Sequence, residues 1–303
     1  MTDTSETFDD QTSGTAYLPL EPGDRLEIET TFANLEVRPV ETGERARIEM
    51  RGRHSDAARL IVGRDGGTVH VEVEPTAAHV GGVIFGRRPP AVRLVAFVPA
   101  SGLRAQLVTS AGRLAVSRLH DVDLEVTADA GTVDIDDVSG RMQLVTSAGR
   151  IEGRALSGTI EASTDAGSIR LEIAHLSPGR HAVSTSVGSV RLELARNMPV
   201  QIDAHATMGS ARVDVRSTPG AAAILEVNAE LGSVRVRESS RHYEGDAIES
   251  AIEAPRAEGP FRTAARHNNT VFDGTLDRVL ARVAKGELAP DAAADLLRAL
   301  SQS

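Results

Sequence analysis

The chain has 303 residues, 41% of them hydrophobic but only 3% aromatic, with no tryptophan and no cysteine. A compact globule of this length fills its centre with several large rings, whereas a core of Ala, Val, Leu and Ile suits a thin cross-section repeated along an axis. A formal net charge of −10 argues against a nucleic-acid partner, whose affinity rests on neutralised phosphates, and the lack of cysteine excludes disulfides, thiolate metal sites and cysteine nucleophiles.

Residues 1–16 are polar, acidic and rich in Thr, Ser and Asp, which predicts a disordered tail. They lack the basic and apolar regions of a signal peptide. No window approaches the ~18 consecutive apolar residues of a membrane span, so the chain reads as cytoplasmic.

Residues 17–100 carry strand-like runs at Ala46–Met50, Thr68–Glu74 and Ala91–Val98 and predict an N-terminal β lobe or cap. Pro75–Pro90 reads as a loop that sets Val83, Ile84 and Phe85 beside Arg87 and Arg88. Two roles fit it. Exposed, it suits a protein groove or peripheral contact with an anionic membrane; folded back, it covers an open core end.

Residues 101–240 are a repeat. Gly112, Gly131, Gly149, Gly167, Gly188, Gly209 and Gly232 follow one another at spacings of 19, 18, 18, 21, 21 and 23 residues. Seven residues before the glycine stand Ala105, Leu124, Met142, Ile160, His181, Ile202 and Leu225; five before, Leu107, Val126, Leu144, Ala162, Val183, Ala204 and Val227. The position just before it (Ala111, Ala130, Ala148, Ala166, Val187, Met208, Leu231) is apolar as well, so the period of two predicts all three columns inside. After the glycine the inward positions are two and four residues on, a change of parity that demands a corner where φ > 0 is favoured. Each unit is strand, corner, strand, loop, and only a stack of units buries a continuous core. Upstream, Thr30–Val37 fits the template as a degenerate coil, with Ala33 at the glycine position, Leu26, Ile28 and Phe32 before it and Leu35 and Val37 after. The predicted class is all-β, a parallel β-solenoid of about 18–23-residue coils.

Residues 241–272 read as a linker containing Pro255 and Pro260. Residues 273–303 predict a small α-helical hairpin. Its first helix has a stripe of Leu276, Val279, Leu280 and Val283; its second opens at Pro290 and carries Ala293, Leu296, Leu297 and Leu300. Helices this short need a surface to dock on, which makes Leu280, Leu296 and Leu297 candidate contacts.

The recurring T-[SD]-x-G-x-[VIL]-x-[VIL] units, over about Tyr17 to Glu238, resemble the bacterial β-strand-repeat family of unknown function labelled adhesin or Toastrack. The tail VLARVAKGELAPDAAADLLRAL resembles the short helical hairpin appended to some such proteins, with Ala289 where a Ser or Thr cap is usual. The resemblance implies a solenoid linked with envelope stress or surface functions, and no established enzymatic activity.

Chemistry is sought in three patterns. The repeated Gly-Ser lacks the helix and the lysine of a phosphate loop. The nine histidines show no metal-ligand spacing, and His181, on an apolar column, reads as a hydrogen-bonded core residue. Serines recurring once per coil are turn chemistry; a nucleophile would be singular. No catalytic residue, metal, cofactor or small-molecule ligand is indicated. Two charge columns remain. Arg170, Arg191, Arg212 and Arg235 stand three after the glycine and face outward; Glu172, Glu193, Asp214 and then Arg237 stand two further on. Either the columns neutralise each other on a solvated face, or the arginines dock an acidic surface or polymer. The function expected is a non-catalytic scaffold for a protein partner or self-association. The alternative is a surface or secreted adhesin-like protein exported by a non-standard route. A polysaccharide-active enzyme would need sugar-stacking rings, and two Tyr, six Phe and no Trp supply few of them.

Overall fold

The computed structural model describes residues 14–31, 33–51, 58–75, 92–239 and 241. The helical hairpin at 273–303, residues 1–13 of the N-terminal tail and nearly all of the 241–272 linker lie outside the described residues. Within them the protein is all-β, and a single eleven-stranded sheet contains β1 (Thr15–Tyr17), β2 (Arg25–Thr30), β3 (Ala33–Pro39), β4 (Arg47–Arg51), β5 (Ala58–Asp65), β6 (Thr68–Pro75), β7 (Val92–Val98), β8 (Arg104–Leu176), β9 (Gly179–Leu194), β10 (Val200–Asp214) and β11 (Ala223–Glu238). β8 is a continuous extended run that carries four of the glycine-marked units.

The degenerate first unit pairs in parallel with the first regular one. Leu26 meets Ala105 and Ile28 meets Leu107 through β2, while Leu35 meets Leu114 and Val37 meets Val116 through β3. All eight side chains are at most 3% exposed. On the other side of this layer β6 lies parallel to β2 and β7 parallel to β3. Antiparallel strands then close this end: β5 on β6, β4 on β7 and β1 on β4.

At the other end the spatial order departs from the chain order that the repeat suggests. β9 pairs in parallel with β8, β11 with β9, and β10 with β11. The seventh unit is therefore inserted between the fifth and the sixth. Packing explains the exchange. β11 offers Val227 and Val234 where β10 offers Ala204 and Ala211, and Ala223 where β10 offers Val200, a net of about two extra carbon groups to bury. At ~0.8 kcal/mol each, this favours β11 inside by about 1–2 kcal/mol. Charge points the same way: with β11 inside, Arg237 lies between Glu193 and Asp214 instead of leaving those carboxylates as neighbours.

The corner begins earlier than the alternation predicts. Val187 is 50%, Met208 66% and Leu231 45% exposed, so the position just before the glycine faces out. The last inward position lies three before it, where Thr109, Ala128, Thr146, Thr164, Thr185 and Ala229 are buried. At the glycine itself the backbones of successive units nearly touch. A Cβ on Gly188 would sit 1.7 Å from the carbonyl oxygen of Gly167, and Gly188 holds a φ of +148°. A second bend, unmarked in the sequence, follows at Arg118, Asp137 and Ala155, with φ of 51–55°. It turns Leu119, Val138 and Leu156 into the core.

The buried threonines form a ladder. The Thr30 hydroxyl donates to Thr109 Oγ1 at 3.2 Å, and Thr146 donates to Thr164 Oγ1 at 2.9 Å. The ladder ends at Thr185, whose neighbour on β11 is Ala229, and the Thr185 hydroxyl is buried without a partner. Thr185→Val is expected to stabilise the protein by about 1 kcal/mol, because an unsatisfied hydroxyl is removed with little change of shape. Thr164→Val, which orphans Thr146, is expected to destabilise it by about 1–2 kcal/mol. Urea midpoints of the two variants check the contrast in sign.

His181 occupies its apolar column as a hydrogen-bonded core residue, 1% exposed. The Ile160 N–H donates to Nδ1 at 3.2 Å, which leaves the proton on Nε2, and that nitrogen donates to the Ser177 carbonyl at 2.8 Å. Burial pushes its pKa below the ordinary histidine value. The folded state thus holds the neutral ring, and the unfolded chain takes up the proton first. The contribution is complete above about pH 6.5 and is lost as pH falls below it, by at most about 1.4 kcal/mol per pH unit. His181→Gln is expected to flatten the stability profile between pH 7 and pH 5, as read from urea midpoints.

Candidate functional site

The half of each unit that follows the glycine alternates strictly: residues two and four on enter the core, so residues three and five on share an outer face. Parallel pairing stacks these outer residues into columns. Arg170 faces Arg191, Arg191 faces Arg235, and Arg235 faces Arg212. The four arginines picked out by the repeat are brought together, with the last two exchanged relative to chain order. The neighbouring column runs Glu172, Glu193, Arg237, Asp214.

Together these columns line a groove of about 700 Å³. Its wall contains Arg154, Arg170, Arg191, Arg212, Arg235, Arg237 and Arg241 against Glu152, Glu172 and Glu193, an excess of four positive charges on a protein of net charge −10. Repetition also missed members of this wall. Arg154 belongs to the column of Glu172 one unit earlier and was legible there. Arg241 follows the last strand and has no periodic signal.

Some of these charges neutralise each other. Arg212 Nε lies 2.8 Å from Asp214 Oδ1 and Arg235 Nη2 lies 3.5 Å from Asp214 Oδ2. The Arg212 hydrogen bond holds the Asp214 carboxyl below the usual carboxylate range. Arg237 pairs with Glu193, and Arg241 Nη1 lies 3.0 Å from Glu172 Oε2. Among the described residues, Arg154, Arg170 and Arg191 make no ion pair. Arg170 and Arg191 are exposed on adjacent rungs about 4.8 Å apart, where like charges cost stability.

Val83, Ile84, Phe85, Arg87, Arg88, Leu280, Leu296 and Leu297 lie outside the described residues. Among the described residues no cluster of three His, Asp or Glu side chains could hold a metal, and no helix is long and apolar enough to cross a membrane.

Residues 102–243, which contain every regular unit and the whole groove, match the family model described as Toastrack DUF4097. The repeat region is thus similar to the Toastrack family. None of the curated proteins matches the chain. Among solved structures, a candidate cell adhesion protein from Clostridium sporogenes is similar at 11% identity and a TM-score of 0.35, covering 74% of this chain and 98% of its own. A candidate adhesin from Bacteroides fragilis is similar at 11% identity and a TM-score of 0.34, covering 73% and 95%. The groove is built on the C-terminal half of this Toastrack-like region, from the fourth to the seventh glycine unit together with Glu152, Gly153 and Arg154 of the third.

Proposed function

We propose that the protein is a non-catalytic binding scaffold, a parallel β-solenoid of 18–23-residue coils whose arginine groove docks an acidic segment of a partner protein. One observation carries this reading: Arg170 and Arg191 stand exposed on neighbouring rungs with no ion pair among the described residues. A fold that places like charges on adjacent rungs bears a cost that a carboxylate-bearing ligand removes, and arginine forks suit carboxylates bidentately. The apolar wall is limited to Gly153, Leu192 and Val234, without an aromatic ring. That favours an acidic peptide over bases or sugars, which call for stacking surfaces.

The test is titration of the full chain into a fluorescent octa-glutamate peptide at ~50 mM and ~200 mM salt. Binding is expected to weaken with salt, and Arg154, Arg170 and Arg191 changed together to Gln are expected to weaken it at least about tenfold at low salt. Equal affinity of the triple variant and the parent would sink the reading.

A further inference from the structure

We propose that two copies of the chain pair end to end through the free edge of β10. β10 has β11 as its only ladder partner among the described strands, yet it carries the core columns one layer further. Its Ala211 and Val213 are exposed, Val213 at 39%, while their ladder partners Val234 and Val236 are 0–1% exposed. The opposite end of the sheet is closed by antiparallel β4, β5 and β1, and among the described residues this end has no such strands. Part of the β10 edge is already used: Ser217 Oγ accepts the Ile202 N–H at 3.0 Å, and the Thr218 N–H donates to the Val200 carbonyl at 2.8 Å. The open stretch therefore runs from Asp203 through the corner.

This stretch is complementary to itself. A two-fold axis between Thr207 and Met208, lying in the plane of the unit, exchanges the arm before the corner with the arm after it. Inward residues before the corner are even-numbered and those after it odd-numbered. The axis therefore sets Ala204 opposite Ala211 of the second copy, inward against inward, and Asp203 opposite Arg212. A shift of two residues one way puts Asp203 against Ser210; the other way puts it against Asp214. Only the central register forms two symmetric ion pairs without opposing two acids. The exposed row Val187, Leu231, Met208 ends beside the axis and would continue into the same row of the second copy. Such pairing also satisfies the backbone groups of an edge that otherwise invites non-specific pairing.

Light scattering and sedimentation of the full chain at ~1–100 µM test this. A dimer is expected, with Asp203→Arg and Arg212→Asp each raising its dissociation constant at least about tenfold and the double exchange restoring it. Because the chain has no cysteine, Met208→Cys supplies an independent readout: on oxidation it should give a single cross-linked dimer, as two Cα atoms near the axis are within disulfide reach. A monomer over the whole range, including one whose edge is covered by residues 242–303, overturns the proposal. So does a dimer that ignores both charge reversals and leaves Met208→Cys uncross-linked, since its contact would lie elsewhere.

Discussion

Gly188→Ala is expected to leave no cooperatively folded protein, a loss of more than about 4 kcal/mol, while Gly179→Ala should cost only about 1–2 kcal/mol. Both glycines hold positive φ, +148° and +129°, so both substitutions carry backbone strain. They differ in what the added carbon meets. At Gly179 nothing lies within 4 Å; at Gly188 the Gly167 carbonyl oxygen lies 1.7 Å away, and that atom is backbone in the next layer. Relief would require two paired layers to separate at the corner. Gly188 also supplies the carbonyl that a Cβ on Gly232 would strike at 1.7 Å, so any shift passes on to β11. Circular dichroism and urea unfolding of the two variants check the contrast, and equal losses would mean that strain, rather than layer contact, dictates glycine.

Val234→Asp is expected to cost at least about 4 kcal/mol, and Ala211→Asp less than about 1 kcal/mol. The two residues are ladder partners at the same position of the repeat. Val234 is 1% exposed inside the stack, and Ala211 is exposed on its last strand. Stacking in chain order would bury Ala211 and place Val234 at the edge, reversing the prediction. Unfolding of both variants in the Arg212→Asp background, which weakens the proposed edge-to-edge pairing, gives the comparison; a more damaging Ala211→Asp would refute the inserted position of β11.

The repeat was legible because its signal is local. Leu26 and Ile28 were aligned with Ala105 and Leu107 from spacing alone, and these are the ladder partners. Two parts of the fold were not read. Alanine before the glycine was counted as core, but its single methyl is nearly indifferent to exposure. The position three before it is missing from the columns predicted inside, although threonine's methyl fits inside and the Thr146 hydroxyl bonds to Thr164. The order of the last two units is a non-local choice among near-equivalent partners, which alignment on the glycine treats alike. Its trace is present in Ala204 and Ala211, which stand where β11 has Val227 and Val234 and are too thin to prefer the interior. The arginine column was readable because parity sends it outward; the groove was not, since Arg241 enters its wall from beyond the last strand.

The exchanged order has a mechanical meaning. A stack laid down in chain order can be unzipped by its ends, because the first and last segments are also the outermost layers. In this protein β2 and β3 lie between the β6–β7 layer and β8, and β11 lies between β9 and β10. Once the short edge strand β1 has peeled from β4, tension applied through residues 25 and 238 would reach interior layers and load hydrogen bonds on both sides of each strand together, in shear. The outermost layers would be spared until that yields. The molecule should therefore resist being pulled apart more than its count of strands suggests, and fail in one large step.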